Sequence, residues 1–304
     1  MIAYLVYVLV RAFIFLLGIL PENISYSVGR MLGNIGYLCD FRHRKVSIDN
    51  IKTAFPSKRG FEVKQLARKS FTHFGMSLVD FSKLSRYGID WFYSRSEMLN
   101  SGPTYEYVKK MDKGALLLLS HFGVWEVLGT LGKKEKVEIN AIARPLSNKY
   151  LNNHIKSLRE KFPVKIIDKM GAVSIASELL NKKKLVGILA DQRAGGRGVF
   201  VDFFGTKAST VATPAVLAIK TGTLMYPIFG IRVSPGRFRL YVKDRIKVES
   251  VTGEFDERVF KITQLYASIV EEEVKKHPEQ YFWMHRRWKS VPRKGALMKE
   301  GRVK

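Results

Sequence analysis

Cysteine is almost missing from this chain: Cys39 is the only one in 304 residues. An internal disulfide and a thiolate metal cluster are therefore excluded, and a reducing compartment is compatible with the chain. No neighbour marks Cys39 as an activated thiol, so it reads as a small buried hydrophobe. Acidic residues are also scarce, 27 against 52 basic ones, a formal charge of +25. That imbalance asks for a polyanionic counterpart: nucleic acid, anionic lipid or an acidic protein. The Gly195-Gly196-Arg197-Gly198 run is followed by no Gly-Lys-Ser/Thr and lacks the Rossmann spacing, so nucleotide binding is unsupported. The run reads as a turn, or as backbone that a headgroup approaches. Internal repeats and long low-complexity linkers are absent, and a 46% hydrophobic content can fill a core.

What is present begins with an apolar segment. Residues 1–20 are apolar or aromatic except for Arg11, about the length that crosses a bilayer core. A cleaved signal peptide fits poorly, because the basic lead and the small-x-small site are missing. Arg11 near the middle would cost roughly 2.5 to 3.5 kcal/mol on insertion scales. Either it snorkels or the helix lies shallow in one leaflet, and both readings stay open. Arg30 and the Arg42-His43-Arg44-Lys45 cluster follow, which places the body on the cytoplasmic side.

Val63, Leu66, Ala67, Phe71, Phe74, Leu78, Phe81 and Leu84 recur at helical spacing and predict one long packing helix. Phe71, Phe74 and Phe81 could also contribute to a hydrophobic groove. From Ala115 onwards strand and helix patterns alternate, with strands expected near 115–120, 138–144, 164–168, 185–191, 224–231 and 237–248. The expected fold class is α/β: a mixed, largely parallel sheet flanked by helices, with an N-terminal helical, membrane-associated arm. The expected division is an anchor over 1–20, a helical arm over 21–102, and an α/β domain over 103–304 with a basic tail.

The most informative stretch is Ala115-Leu116-Leu117-Leu118-Leu119-Ser120-His121-Phe122-Gly123-Val124-Trp125-Glu126. Its apolar run reads as a buried strand, and His121 follows where such a strand ends, the edge at which α/β proteins place their ligands. A spacing of five puts His121 and Glu126 on different faces of one helix. It suits instead a His in the strand-to-helix turn and a Glu in the first helical turn, where the carboxylate can orient the imidazole. Two later strands end similarly, one in Arg144-Pro145 and the other in Asp191-Gln192-Arg193. If the strands are parallel, His121, Arg144 and Asp191 share one edge. Singly, each has an ordinary reading: a core histidine, a loop arginine, a turn-forming aspartate. The segment Tyr281-Phe282-Trp283-Met284-His285-Arg286-Arg287-Trp288-Lys289 interleaves aromatics with cations and reads as an anion-binding edge. It also suits a membrane-tethered nucleic-acid binder, a rival that leaves the strand-end residues unexplained.

This ordered set resembles one family. His-Phe-x-x-x-Glu at 121–126, Arg-Pro at 144–145, Ala-Asp-Gln at 190–192, Gly-Val-Phe-Val-Asp-Phe-Phe-Gly at 198–205 and the segment at 281–289 are similar to those of the late acyltransferases of lipid A biosynthesis. The resemblance covers nearly the whole chain, and its combination of motifs is specific where no single one is. It implies transfer of a fatty acyl chain from an acyl carrier protein thioester to a hydroxyl of a lipid A precursor. Related bacterial glycolipid and phospholipid acyltransferases, using acyl carrier protein or acyl-CoA, share the His motif. The implied partners are acyl carrier protein, anionic lipid and the membrane, with no nucleic acid. The implied place is the cytoplasmic face of a bacterial inner membrane. No motif calls for a metal or cofactor.

On this reading His121, its tautomer held by Glu126, deprotonates the acceptor hydroxyl, and transfer is direct because the substrate supplies its own nucleophile. Arg144 is expected to meet an acceptor phosphate or the developing oxyanion. Asp191 and Gln192 would support it or position the acceptor. Arg286 and Arg287 are expected in a more peripheral anion-binding cluster. Lys182-Lys183-Lys184 reads as a solvated helix end, with carrier-protein docking as the functional alternative.

Overall fold

The computed structural model describes residues 2–99, 114–143, 145–168, 171–194 and 198–289. The N-terminal part is helical: α1 (Ile2–Ile19), α2 (Glu22–Cys39), α3 (Phe41–Ala54), α4 (Gly60–Tyr87) and the short α5 (Ile89–Tyr93). Asp40 starts α3 by accepting the His43 backbone N–H at 3.0 Å, satisfying one of the donors a helix leaves open at its first turn. Helix α4 is the long helix its periodicity predicts. Val63, Leu66, Ala67, Phe71 and Leu84 are buried, while Phe74 and Leu78 reach the surface.

Helices α2 and α4 approach closely because glycines meet there. A side chain at Gly33 would collide with the backbone of Phe71, and one at Gly75 with the backbone of Gly29. A buried ion pair then ties both helices to the sheet. Arg232 meets Asp80 at 2.6 and 3.0 Å, and Tyr26 donates to the same carboxylate. Burial, together with Asp80, pushes the Tyr26 hydroxyl far above its ordinary pKa, so it stays a donor.

The sheet is mixed and largely parallel, as expected. Its strands are β1 (Ser96–Leu99), β2 (Ala115–Leu119), β3 (Ile139–Ala143), β4 (Val164–Asp168), β5 (Leu185–Leu189), β8 (Leu224–Ser234) and β9 (Arg237–Val242). The spatial order is β1-β9-β8-β2-β5-β3-β4, and only the β8–β9 pair is antiparallel. A separate hairpin joins β6 (Val199–Phe203) to β7 (Thr206–Thr210). Strand β1, within the stretch expected to be helical, closes one edge by pairing with β9. The expected strand at 237–248 stops at Val242.

Between the strands lie α6 (Gly129–Glu135), α7 (Lys149–Arg159), α8 (Ala172–Asn181) and α9 (Thr213–Thr221), and α10 (Phe255–Lys276) follows β9. Alternation along β2 assigns its two faces. Leu116 and Leu118 join a core with Ala176, Leu180, Val259 and Ile262 of α8 and α10. Ala115 and Leu117 join a second core with Leu128, Leu131 and Phe162 on the other face. Helices therefore cover both faces, as a parallel sheet requires.

Candidate active site

Register brings the site together. Strands β2 and β5 run parallel with Leu119 opposite Leu189, so the residues two positions further on, His121 and Asp191, become neighbours beyond the carboxyl ends. His121 Nδ1 lies 2.8 Å from Asp191 Oδ1. Asp191 is 4% exposed. Burial pushes its carboxyl towards protonation, but the adjacent His121, with help from Arg287, outweighs this and holds it below the usual carboxylate value. The carboxylate therefore accepts from Nδ1–H, and Nε2 is the ring nitrogen left to face an acceptor.

The loop carrying His121 is held on three sides. The backbone N–H of Phe282 donates to the His121 carbonyl at 3.0 Å, Gly123 N–H to Gln280 at 2.9 Å and Val124 N–H to Gly230 at 2.7 Å. From α4, His73 Nε2 meets the Gly123 carbonyl at 3.0 Å. Burial, reinforced by Arg232, lowers His73 to about 3, so it is a neutral donor. Gly123 sits at φ 63°, and a side chain there would collide with the Gly230 carbonyl. Only glycine fits that turn.

Glu126 is placed differently from expectation. A short 3₁₀ turn over Trp125–Leu128 precedes α6 and aims the Glu126 carboxylate at the end of α7. There Arg159 donates to it twice, at 2.7 and 3.0 Å, and Trp125 Nε1 donates at 2.8 Å. Burial opposes the Arg159 charge, yet the Glu126 carboxylate raises its pKa above the ordinary value. Among the described residues Asp191 is thus the carboxylate hydrogen-bonded to His121 Nδ1, whereas Glu126, expected beside the imidazole, is held by Arg159 and Trp125. The Trp125 ring lies 5.4 Å from the His121 ring and links the two pairs.

Glu126 and Arg159 are the charged residues in the wall of an otherwise apolar cavity, about 700 Å³ with the open solvent at its mouth included. Alternate residues of four adjacent strands form one wall, including Leu117, Leu119, Ala141, Ala143, Gly187 and Ile166. The space exists because small residues stand in the middle of that face. Leu128, Leu131 and Phe162 form the opposite side. A smaller apolar recess between α4 and the His loop is lined by Phe74, Leu78, Phe81, Trp125 and Glu126. Phe74 and Phe81 thus take the groove positions expected of them. Phe71 does not; it is buried against Tyr37.

The segment at 281–289 does not form a peripheral edge. Tyr281, Trp283 and Arg287 are buried and Arg286 is exposed. Arg287 donates to the Ser209 carbonyl and to Thr210 Oγ1, each at 2.6 Å, locking β7 beneath the site. The reading of Arg286 and Arg287 as one surface cluster is therefore corrected, because the aromatic residues that alternate with them draw Arg287 inside. His285 Nε2 accepts the Arg193 N–H at 3.0 Å, and burial lowers its pKa to about 4. Gln192 is half-buried. Cys39 is exposed, against the expectation of burial. Lys182 pairs with Glu178 on the solvent side of α8. Arg144, residues 195–197 of the glycine run and the tail beyond Lys289 lie outside the described residues. Among the described residues no group of His, Cys, Asp and Glu has the arrangement of a metal site. Sequence reasoning missed Arg159 and His73, whose only signal was position, at the end of α7 and in the middle of α4.

Comparison with known proteins adds the family. A model described as bacterial lipid A biosynthesis acyltransferase matches residues 1–290. The chain is 27% identical over 135 residues to the phosphatidylinositol mannoside acyltransferase of Mycolicibacterium smegmatis, covering 40% of the chain and 44% of that relative. The match to that relative thus spans less than half its length. It is 22% identical over 282 residues to the lipid A biosynthesis palmitoleoyltransferase of Escherichia coli K12, covering 90% of the chain and 87% of the relative. It is 23% identical over 281 residues to the lauroyltransferase of the same organism, covering 90% and 88%.

Proposed function

The chain belongs to the bacterial lipid A biosynthesis acyltransferase family, and from that premise we propose that it transfers a fatty acyl chain from a thioester to a hydroxyl of a lipid A precursor. The observation that carries the reaction is the His121–Asp191 pair at the parallel strand edge, beside an apolar cavity. Nε2 takes the acceptor's proton as its oxygen attacks the thioester carbonyl. The tetrahedral intermediate then collapses, and the departing thiolate recovers the proton from the imidazolium. Asp191 stabilises that imidazolium without taking its proton. The acceptor brings the nucleophile, so no acyl-enzyme is formed.

The acyl chain occupies the cavity, whose wall is apolar apart from the Glu126–Arg159 pair. Glu126 and Arg159 neutralise each other in its wall and position Trp125 next to His121. Arg144, which follows β3 in the sequence, is the residue proposed for an acceptor phosphate or the oxyanion. The donor is an acyl carrier protein, an acidic partner suited to a chain of charge +25. No cofactor takes part, and the reaction runs on the cytoplasmic face of the inner membrane. A second reading, transfer to another bacterial glycolipid from acyl-CoA or acyl carrier protein, has its acceptor favoured by the similarity to a phosphatidylinositol mannoside acyltransferase.

Mass spectrometry of lipids formed by membranes carrying the protein, with defined donors and acceptors, tests both readings. A mass gain of one acyl group on a lipid A precursor with acyl carrier protein as donor is expected. His121→Ala should abolish that product while the chain stays folded, and near-normal turnover in folded His121→Ala would remove the proposed base.

A further inference from the structure

Helix α1 is 18 residues long and apolar enough to cross a membrane by length and composition. Its placement on the body argues for a different use. Tyr7, Val10, Ile14, Leu17 and Gly18 are partly or fully buried, at spacings of three, four, three and one. That is a single face packed along most of the helix.

Both ends are also tied down. At the C-terminal end, the buried Lys83 of α4 donates to the Gly18 carbonyl at 3.2 Å and to the Leu20 carbonyl at 2.6 Å. Near the N-terminal end, Asn148 of the α7 cap donates to the Ala3 carbonyl at 2.8 Å. Tyr150 of α7 packs against Tyr4 and Tyr7, with ring centroids 5.3 and 5.9 Å apart. At a rise of 1.5 Å per residue, these two attachments lie roughly 22 Å apart along the helix, most of the ~30 Å thickness of a bilayer core.

An upright α1 would therefore carry α7 through the hydrocarbon to the far side. That helix has the sequence Lys-Tyr-Leu-Asn-Asn-His-Ile-Lys-Ser-Leu-Arg. Each of its cations would cost roughly 2.5 to 3.5 kcal/mol at the bilayer centre. Alternatively α1 would have to leave the body altogether. We propose that α1 instead lies in the plane of one leaflet, docked lengthwise on the catalytic body, with its outward side in the lipid.

The outward side fits that occupant: Leu5, Leu9, Phe13 and Leu16 are all more than a third exposed. The net charge of +25 complements an anionic headgroup layer. Arg11, awkward in the middle of a span, can reach the headgroups from an in-plane helix, with its guanidinium 3.1 Å from the Tyr7 hydroxyl. Helix α7 then lies at the lipid boundary, and its last residue, Arg159, lines the cavity. The inference rests on the membrane reading above, and it makes the leaflet itself the route by which lipid reaches the site.

Two measurements on the full-length chain in native membranes test it. Wild-type Cys39 is exposed and reports the side on which the body lies. In a Cys39→Ser background, Tyr4→Cys with Tyr150→Cys should be joined by a short bifunctional maleimide before any detergent is added. Ile2→Cys in the same background should react with an impermeant maleimide from the Cys39 side, or only after solubilisation. Labelling of Ile2→Cys from the face opposite Cys39 overturns the in-plane helix, and so does a missing cross-link. Acyl transfer assayed in parallel shows that the variants are folded. Recovery of the wild-type chain in the soluble fraction would instead remove the membrane reading, and the inference with it.

Discussion

At the scale of single residues, the site turns on which carboxylate reaches the imidazole. Asp191 is buried, hydrogen-bonded to His121 Nδ1 and kept ionised by that contact against its own burial. Asparagine at this position keeps an acceptor but removes the charge that stabilises an imidazolium. Asp191→Asn should therefore lower kcat by about 10²- to 10⁴-fold, the usual range for general-base assistance, with the thermal transition of the folded chain preserved. Steady-state kinetics on the purified variant check this. Undiminished kcat would return the orienting role to Glu126. Glu126 faces Arg159 in the cavity wall, where losing either partner leaves a buried charge uncompensated.

At the scale of elements, the His loop depends on what is packed around it. Helix α4 reaches the loop through His73, which the folded chain holds neutral with a pKa of about 3. The unfolded chain has an ordinary histidine there, near 6.5. Between those values the unfolded state binds the extra proton, so stability falls as pH drops through that window and recovers above it. The slope approaches about 1.4 kcal/mol per pH unit for a single site. His73→Gln can still donate to the Gly123 carbonyl and has no proton to take up. Denaturant unfolding measured from neutral to acid pH should show a flatter decline for the variant; equal slopes would mean that His73 is already accessible to protons in the native chain.

For the molecule as a whole, charge and apolar surface act together. The excess of 25 positive charges draws the chain to anionic lipid, but that attraction is screened over a Debye length of about 10 Å at 0.1 M salt. Apolar contact made by α1 is not screened in this way. Full-length protein should stay on anionic vesicles at high ionic strength, whereas a chain lacking residues 2–20 should bind at low ionic strength and be released by salt. Co-sedimentation with vesicles of defined composition distinguishes the two. Salt-resistant binding by the truncated chain would assign the anchor to other apolar surface, such as Ile24, Met31, Ile35 and Leu38, exposed on α2.

The linear pattern by itself determined the long helices α1 and α4, the central strands and the edge at which the chemistry lies, but not β1 or the β6–β7 hairpin. A composition apolar but for Arg11 marked α1 and apolar runs marked the buried strands, while periodicity marked α4, because a side chain's face follows from its spacing along a helix. His121 and Asp191 could be placed at strand ends because each follows an apolar run directly. The pairing of His121 with Asp191, and of Glu126 with Arg159, was decided only in three dimensions. Strand order and register set which side chains meet across 70 and 33 residues of sequence, and neither is written in local spacing. The same holds for Arg287, a surface cation by composition that the folding of Tyr281 and Trp283 into the core carries inside. It holds too for α1, whose composition allows a span and whose attachments to Lys83 and Asn148 decide its direction, because those partners lie on distant elements that only packing brings alongside.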